Sequence, residues 1–334
     1  MTFPKFLMLL SLSLFILIGA MALFKSYSPS EPVGEVLTHV EPLEIELDQQ
    51  IQEVTPALAT SSTEIAVNNE VPLTFTGDLP EANRIEELFN KTEPRLSIVE
   101  TITYRSHVPW QKGRPAWLSD YASHYATSRH FIARSLNGAP EYLKQDLKEG
   151  EQFNVFRQDK NFQFYLVVDT SRCKMWFYYL DLDRSEKVLL KTYQVGLGRI
   201  EPSKASGLLT PLGKYVLGER VAVFKAKMMG LHQGKNKEMM TVFGTRWIPF
   251  EKEIGLCTAP AKGFGMHGTP WVCSTDQWSD NTQSIGKYES DGCIRLATPD
   301  IEELFAIIIT KPTIIEIVRD FSEATFEPIQ VSQF

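Results

Sequence analysis

The residues best suited to chemistry in this chain are one cysteine and one histidine, each beside a glycine. Cys293 follows Gly292, and His267 precedes Gly268. A glycine before a cysteine lets the backbone turn tightly and aim N–H groups at one point, where they can hold an oxyanion. A thiol with a spatially close histidine is the minimal pair for acyl transfer. The sequence therefore predicts Cys293 as a nucleophile and His267 as its general base.

The segments around these two residues resemble the L,D-transpeptidase (YkuD-type) catalytic domain. The resemblance covers about residues 162–320 in consistent order. Its motifs here are Thr210-Pro-Leu-Gly-Lys-Tyr215, Phe243-Gly-Thr-Arg-Trp247, Met266-His-Gly-Thr-Pro270, Gly286 and Ser290-Asp-Gly-Cys-Ile-Arg-Leu296.

The resemblance implies a mechanism and a substrate. Cys293 would attack a peptidoglycan tetrapeptide stem, release D-alanine and pass the acyl group to an amine as a 3→3 crosslink. The backbone carbonyl of Gly268 would orient His267, and the N–H groups of Cys293 and Gly292, or a neighbouring donor, would form the oxyanion hole. No cofactor or metal is needed, and carbapenems should acylate the thiol.

The chain departs from the family pattern at Asp291, where the family has a second histidine. An anion close to Cys293 disfavours the thiolate, so we expect a raised pKa and a slower enzyme. The exception would be an Asp291 that turns away or pairs with a cation such as Lys287. The interval between His267 and Cys293 is also longer than usual, with extra residues at 272–282.

Further residues are candidates for substrate binding, and each has a structural alternative. Arg295 either holds the loop or faces a substrate carboxylate. The other candidates are Ser290, Asp291, Trp271 and Tyr288. Methionines at 228–229 and 239–240 flank a Gly/Lys-rich loop with His232. In the family this interval includes a flap over the substrate, although loop ends and core explain it equally well.

Composition limits the other classes of function. A net charge of −7 argues against nucleic acid and anionic lipid as partners. Cysteine and histidine lack the paired spacing of structural zinc sites, so we expect no metal. Four cysteines are too few for a disulfide-stapled scaffold of this length. A Cys257–Cys273 disulfide beside the His267 bend is an open alternative.

The first 80 residues indicate export. Residues 6–24 are almost continuously apolar between Lys5 and Lys25, which favours a membrane anchor within 1–25 over a cleaved signal peptide. Residues 26–80 are acidic and poor in core-forming residues, which predicts a disordered tether. We therefore expect an inner-membrane anchor with the catalytic domain in the periplasm or cell-wall space.

The remaining chain divides by its hydrophobic patterns. Residues 81–100 predict a short helix and connector. Residues 101–157 follow a β-α-α-β order that resembles a LysM module, an α+β unit that binds N-acetylglucosamine glycans. Residues 162–320 predict a mainly β domain, like the family's β-sandwich or barrel, with one packed helix over 299–309 that has Thr298 as its N-cap. Residues 321–334 form a C-terminal tail.

Two other functions remain open from the sequence. A carboxypeptidase would use the same thioester but pass it to water. A non-catalytic peptidoglycan-binding protein would keep the LysM-like module and lose the thiol chemistry. Asp291 in place of the family histidine is the feature that supports this alternative.

Overall fold

The computed structural model describes residues 78–140, 147–274 and 277–328. The predicted anchor and residues 26–77 of the predicted tether lie outside these ranges. Among the described helices, none is long and apolar enough to cross a membrane. In chain order the elements are α1 (Glu86–Phe89), β1 (Val99–Thr103), α2 (Leu118–His124), α3 (Arg129–Asn137), β2 (Gln152–Phe156), β3 (Phe162–Asp169), β4 (Lys174–Asp181), β5 (Glu186–Gln194), β6 (Leu197–Gly198), β7 (Gly213–Leu217), β8 (Ala222–Val223), β9 (Met229–His232), β10 (Lys235–Glu238), α4 (Met240–Phe243), β11 (Arg246–Ile254), β12 (Gly265–Gly268), β13 (Trp271–Ser274), β14 (Gln277–Asp280), β15 (Tyr288–Ser290), β16 (Ile294–Leu296), α5 (Thr298–Ile308) and β17 (Thr313–Val318).

The region from β1 to β2 has the β-α-α-β order that its sequence pattern predicts. β1 and β2 pair antiparallel, with Val99 opposite Phe156. Helix α3 begins at Ser128, whose hydroxyl accepts the Phe131 N–H, and ends before Gly138 in the left-handed conformation. The element order is therefore as expected, whereas the LysM assignment stays a prediction.

This N-terminal region shares part of its hydrophobic core with the main sheet. Phe131 of α3 contacts Phe156 of β2, with ring centroids 4.6 Å apart. Phe156 in turn lies 5.5 Å from Phe162 and 5.7 Å from Phe164, both in β3. The boundary predicted between 157 and 162 thus marks a short link and no break in the core.

The chain before α1 is packed on the sheet, which shortens the predicted tether. Trp176 donates its indole N–H to the Pro80 carbonyl at 2.7 Å. The Arg84 N–H donates to the Leu190 carbonyl of β5 at 2.7 Å, so residues beside Arg84 extend the sheet. The backbone edge of β5 accepts the hydrogen bond from Arg84, and hydropathy does not reveal such an edge contact.

The main sheet has the strand order β16-β12-β11-β7-β17-β3-β4-β5, and β8 pairs with β11. Most pairs are antiparallel, while β12–β16 and β17–β3 are parallel. Its two ends meet just after β5, where Gly196 and Arg295 exchange two backbone hydrogen bonds of 2.8 Å each. The sheet therefore closes in a barrel-like manner, as expected for a mainly β domain with a packed helix.

Both faces of the central strands are covered. Every residue of β3 is buried, and the five residues from Phe164 to Val168 are all apolar or aromatic, which is typical of a strand covered on both faces. Phe321 packs against Trp176 at 4.5 Å and Phe326 against Tyr165 at 5.6 Å. The first part of the predicted tail, through residue 328, thus belongs to the fold.

Helix α5 packs on the sheet through the face that its periodicity predicts, including Ile301, Leu304 and Phe305. Its N-cap residue is Ala297, so the prediction of Thr298 was wrong by one position. The reason is that the Asp280 carboxylate accepts the Thr298 N–H at 2.9 Å, which replaces a local side-chain cap.

Candidate functional site

Strand register brings the predicted nucleophile and base to one face of the sheet. In the parallel pair β12–β16, His267 lies opposite Arg295, and Met266 lies opposite Ile294. Side chains alternate along a strand, so Met266 and Ile294 enter the core while His267, Arg295 and the preceding Cys293 share the other face. Adjacent strands therefore assemble two motifs that are separated in sequence.

The turn that leads to Cys293 is held by Ser290. The Ser290 hydroxyl accepts the Gly292 N–H at 3.1 Å and donates to the Cys293 carbonyl at 2.6 Å. Gly292 has φ +124°, and a Cβ there would lie 2.6 Å from the Phe264 ring, so the position requires glycine. Ser290 is buried, and its hydroxyl makes both of these hydrogen bonds within the turn, while its role in substrate binding stays a prediction.

The same turn changes the predicted oxyanion hole. Because the Gly292 N–H already donates to Ser290, it is not available to an oxyanion in this conformation. Within the described ranges, the Cys293 N–H has no such hydrogen bond and remains the backbone donor of the turn. The hole predicted from two N–H groups is thus half-formed here.

Thr210 links the nucleophile turn to the neighbouring loop. Its hydroxyl donates to the Gly292 carbonyl at 2.9 Å and accepts the Gly198 N–H at 2.7 Å. The side chain is fully buried. The sequence pattern includes Thr210 in a motif but gives no indication of this contact, because Gly292 lies far along the chain.

The Cys293 thiol lies in an apolar pocket. It packs against the cluster that contains Phe243 and Trp247, and Sγ donates to the Gly263 carbonyl at 3.8 Å. Burial raises the pKa of the Cys293 thiol to about 12, although a hydrogen bond from Gly265 and the charge of Arg295 oppose this effect. The thiol is therefore protonated at neutral pH in this state.

His267 is buried and interacts with the backbone of Gly268 and of Phe243. Nδ1 lies 2.7 Å from the Gly268 carbonyl oxygen. A carbonyl only accepts, so Nδ1 carries the proton and Nε2 presents a lone pair, the tautomer that a base requires. Burial and then the charge of Arg295 lower the pKa of His267 to about 3. Among the described residues, no hydrogen bond joins His267 to Cys293.

Asp291 pairs with a cation other than the predicted one. Its carboxylate lies 2.7 Å from an Arg199 guanidinium nitrogen, and both side chains are exposed. Lys287 instead lies 3.7 Å from Glu289. Asp291 raises the pKa of Cys293, as expected, but its contribution ranks below that of burial.

The backbone of Arg295 is fixed by hydrogen bonds, whereas its side-chain Nε lacks a hydrogen-bond partner among the described residues. Its N–H and carbonyl both bond to Gly196, while its side chain lies on the face that carries His267. The buried Nε has no hydrogen-bond partner within the described ranges. This arrangement lets one residue close the sheet and offer a cation to a ligand, so the two roles expected of it are compatible.

The two aromatic candidates have different surroundings. Trp271 packs in the cluster around Cys293 and donates its indole N–H to Thr298 Oγ1 at 3.1 Å. Tyr288 instead donates its hydroxyl to the Thr170 carbonyl at 2.7 Å, in the turn after β3. The structure thus places Trp271 near the thiol and Tyr288 outside that cluster.

The extra residues after His267 form the hairpin β13–β14, which returns Asp280 to the site. The Asp280 carboxylate accepts the Thr269 hydroxyl and the Thr298 N–H. Thr269 is two residues beyond His267 and is fully buried. Asp280 therefore ties the histidine segment to the start of α5, a role that sequence reasoning missed because it depends on the length of the hairpin.

The remaining cysteines do not form the proposed disulfide. Cys257 and Cys273 are both free, and Cys257 donates its thiol to the Lys214 carbonyl at 3.2 Å. In the described part of the chain, no three His, Cys, Asp or Glu side chains are grouped to hold a metal ion.

Comparisons with known proteins address the catalytic region. The model of the L,D-transpeptidase catalytic domain (YkuD) matches residues 163–317. No curated protein gives a significant match. Two solved structures are similar at 15% identity: Bd1075 of Bdellovibrio bacteriovorus (TM-score 0.33, 47% of this chain and 48% of that chain) and the helical cell shape determining protein Pgp2 of Campylobacter jejuni (TM-score 0.30, 48% and 49%). The match thus spans about half the length of each of these structures.

Proposed function

Starting from the L,D-transpeptidase catalytic domain at residues 163–317, we propose that this protein is a cysteine acyltransferase acting on peptidoglycan stem peptides. The observation that carries the proposal is the β12–β16 register, which puts His267 and Cys293 on one face of adjacent strands. Acyl transfer by a thiol needs a base on the same face and a group that orients it, and the Gly268 carbonyl supplies that orienting contact to His267.

In the proposed reaction, Cys293 Sγ attacks the carbonyl of the third stem residue and its proton passes to His267 Nε2. The tetrahedral oxyanion is held by the Cys293 N–H. The imidazolium then returns the proton to the leaving D-alanine amine, and a thioester remains. An amine of a second stem attacks the thioester, gives up a proton and restores the thiol.

The resting geometry indicates what substrate must change. Sγ points to Gly263, and the pKa values of about 12 for Cys293 and about 3 for His267 disfavour a preformed thiolate–imidazolium pair. We infer that bound peptide displaces the thiol from the Gly263 carbonyl, so that deprotonation accompanies attack. The unpartnered Nε of Arg295 is the natural contact for a substrate carboxylate.

The wider context follows from the same proposal. Residues 1–25 would anchor the protein in the inner membrane, with the catalytic domain in the periplasm or cell-wall space. The region 101–157 would bind glycan strands as a LysM-like module, which places the stems within reach. The chemistry requires no cofactor.

A second candidate is a peptidoglycan-binding protein without thiol chemistry. The hydrogen bond from Cys293 to Gly263 and the raised pKa of Cys293 favour this candidate, because a thiol that stays protonated does not acylate.

Intact-protein mass spectrometry after incubation with a carbapenem tests the proposal. We expect one adduct on the parent protein and none on Cys293→Ala. No adduct between mildly acidic and basic pH, with the protein folded, would overturn the transferase and support the binding protein. Stem tetrapeptides then separate transfer to an amine from hydrolysis.

A further inference from the structure

The hairpin β9–β10 presents its side chains in the reverse of the usual order. Met229 is 55% exposed and Leu231 is 39% exposed, whereas His232 is 9% exposed. Alternation along β9 thus turns two apolar residues to solvent and the imidazole inward. Hydrophobic burial alone favours the opposite register, and a slip of one residue would achieve it. Local sequence rules that fail in this way are expected at functional sites.

The hairpin is held in this register by its turn and by its packing against Met239. Gln233 and Gly234 form the turn with positive φ angles of 50° and 69°, which suits a two-residue hairpin connection. On the inner side, a Cβ at Gly230 would lie 2.8 Å from Met239 Sδ, so the strand lies directly on that side chain. His232 therefore faces inward in a fixed position.

The inward face of the hairpin adjoins the catalytic cluster. The His232 ring lies edge-on to Phe243, with centroids 5.4 Å apart at 88°. Phe243 contacts His267 in the same way, at 5.4 Å and 89°. Cys293 packs against the cluster to which Phe243 belongs. One aromatic ring thus separates His232 from the predicted base.

The polar end of His232 lacks a partner. Its Nδ1 is buried and makes no hydrogen bond within the described ranges. A buried polar atom without a partner is destabilising, so it is unusual unless a ligand supplies the missing hydrogen bond. Burial, followed by the charge of Lys237, lowers the pKa of His232, while Asp291 raises it. The ring is therefore neutral at neutral pH, and its Nδ1 can form a hydrogen bond with a peptide group.

We propose that His232 is a substrate-binding residue of this site, with Nδ1 forming a hydrogen bond to a peptide group of the stem that lies between the β9–β10 hairpin and Cys293. This inference rests on the proposed function. The nucleophile motif has Asp291 where the family has a histidine, and the β9–β10 hairpin supplies an imidazole to the same site. Its role is to bind and position the peptide, while His267 remains the base.

Two substitutions separate the polar contact from packing. His232→Phe keeps an aromatic ring against Phe243 and removes Nδ1, whereas His232→Asn keeps a polar atom near that position. With tetrapeptide substrate we expect a KM about tenfold higher for His232→Phe, little change in kcat, and partial recovery in His232→Asn. Gln194→Phe, at an exposed residue of β5 outside the site, serves as the control for introducing a phenylalanine. An unchanged KM in His232→Phe would overturn the inference.

A binding measurement keeps this test independent of turnover. The full-length Cys293→Ala protein with 13C-labelled histidine is titrated with stem tetrapeptide, and the His232 ring signal is assigned from its absence in His232→Phe. We expect that signal to shift in a saturable way. Saturable shifts elsewhere that leave the His232 signal unchanged would also overturn the inference. A shifted His232 signal in a protein that forms no carbapenem adduct would instead refute the chemistry and retain the binding role.

Discussion

The protonation state of Cys293 gives a quantitative prediction about its reactivity. Burial raises the pKa of this thiol to about 12, compared with about 8.5 for a free cysteine. At pH 8 a thiol of pKa ~12 is about 0.01% thiolate, whereas one of pKa ~8.5 is about a quarter thiolate. The thiolate is the form that reacts, and a thiolate of higher pKa is also more nucleophilic, so the roughly 2,000-fold smaller thiolate fraction should make alkylation of Cys293 at pH 8 roughly 50–100-fold slower than that of a free thiol.

Pulsed alkylation with iodoacetamide between pH 7 and pH 10, followed by peptide mass spectrometry, measures this reactivity. Below the pKa, the thiolate fraction rises tenfold with each pH unit. We therefore expect the logarithm of the Cys293 rate to rise with a slope of one across the whole range. The exposed Cys273 in the same sample checks that the reagent is active.

An Asp291→Asn variant is the matched control for the electrostatic part. The Asp291 charge raises the pKa of Cys293, and burial has the larger effect. We expect faster alkylation in the variant and the same slope. A Cys293 rate that reaches a plateau below pH 9 in the parent would refute the reasoning, because the thiol would then already be activated without substrate.

Two predictions concern the framework around the site. Asp280→Ala removes the acceptor for the Thr269 hydroxyl and the Thr298 N–H. Urea denaturation should therefore show a free energy of unfolding about 1–3 kcal/mol lower than in the parent, with a smaller decrease in Asp280→Asn. Equal stability of all three proteins would contradict this role of Asp280. A protein that begins at residue 162 lacks Phe131 and Phe156 and exposes the aromatic surface that they cover. We therefore expect this fragment to aggregate or to have a clearly lower Tm than the parent. A soluble fragment with the parent's Tm would show that the shared core is dispensable.

The sequence predicts those parts of the fold that depend on local patterns. Helix α3 with its Gly138 stop and the buried face of α5 all follow from periodicity and capping. The apolar run of β3 is consistent with burial of both faces. It does not indicate that Phe321 and Phe326 return from the end of the chain to cover the second face, because that contact depends on distant segments.

At the site, residue types are easier to predict than their partners. The motifs indicate Cys293 and His267, and the structure places them on one face of the sheet. They do not indicate that Ser290 occupies the Gly292 N–H, or that Asp291 pairs with Arg199 from a distant loop. Such contacts depend on how loops meet after folding, which neither composition nor spacing encodes.

The aromatic contacts from Phe131 through Phe156 to β3 have a mechanical consequence. The region from β1 to β2 has a small core of its own, but Phe131 and Phe156 also belong to the core of the main sheet, so the region is packed on the sheet and does not swing like a domain on a linker. A polymer bound to that region would therefore lie at a fixed distance and orientation relative to Cys293. The spacing of the repeat units along the polymer would then determine which side branches reach the thiol.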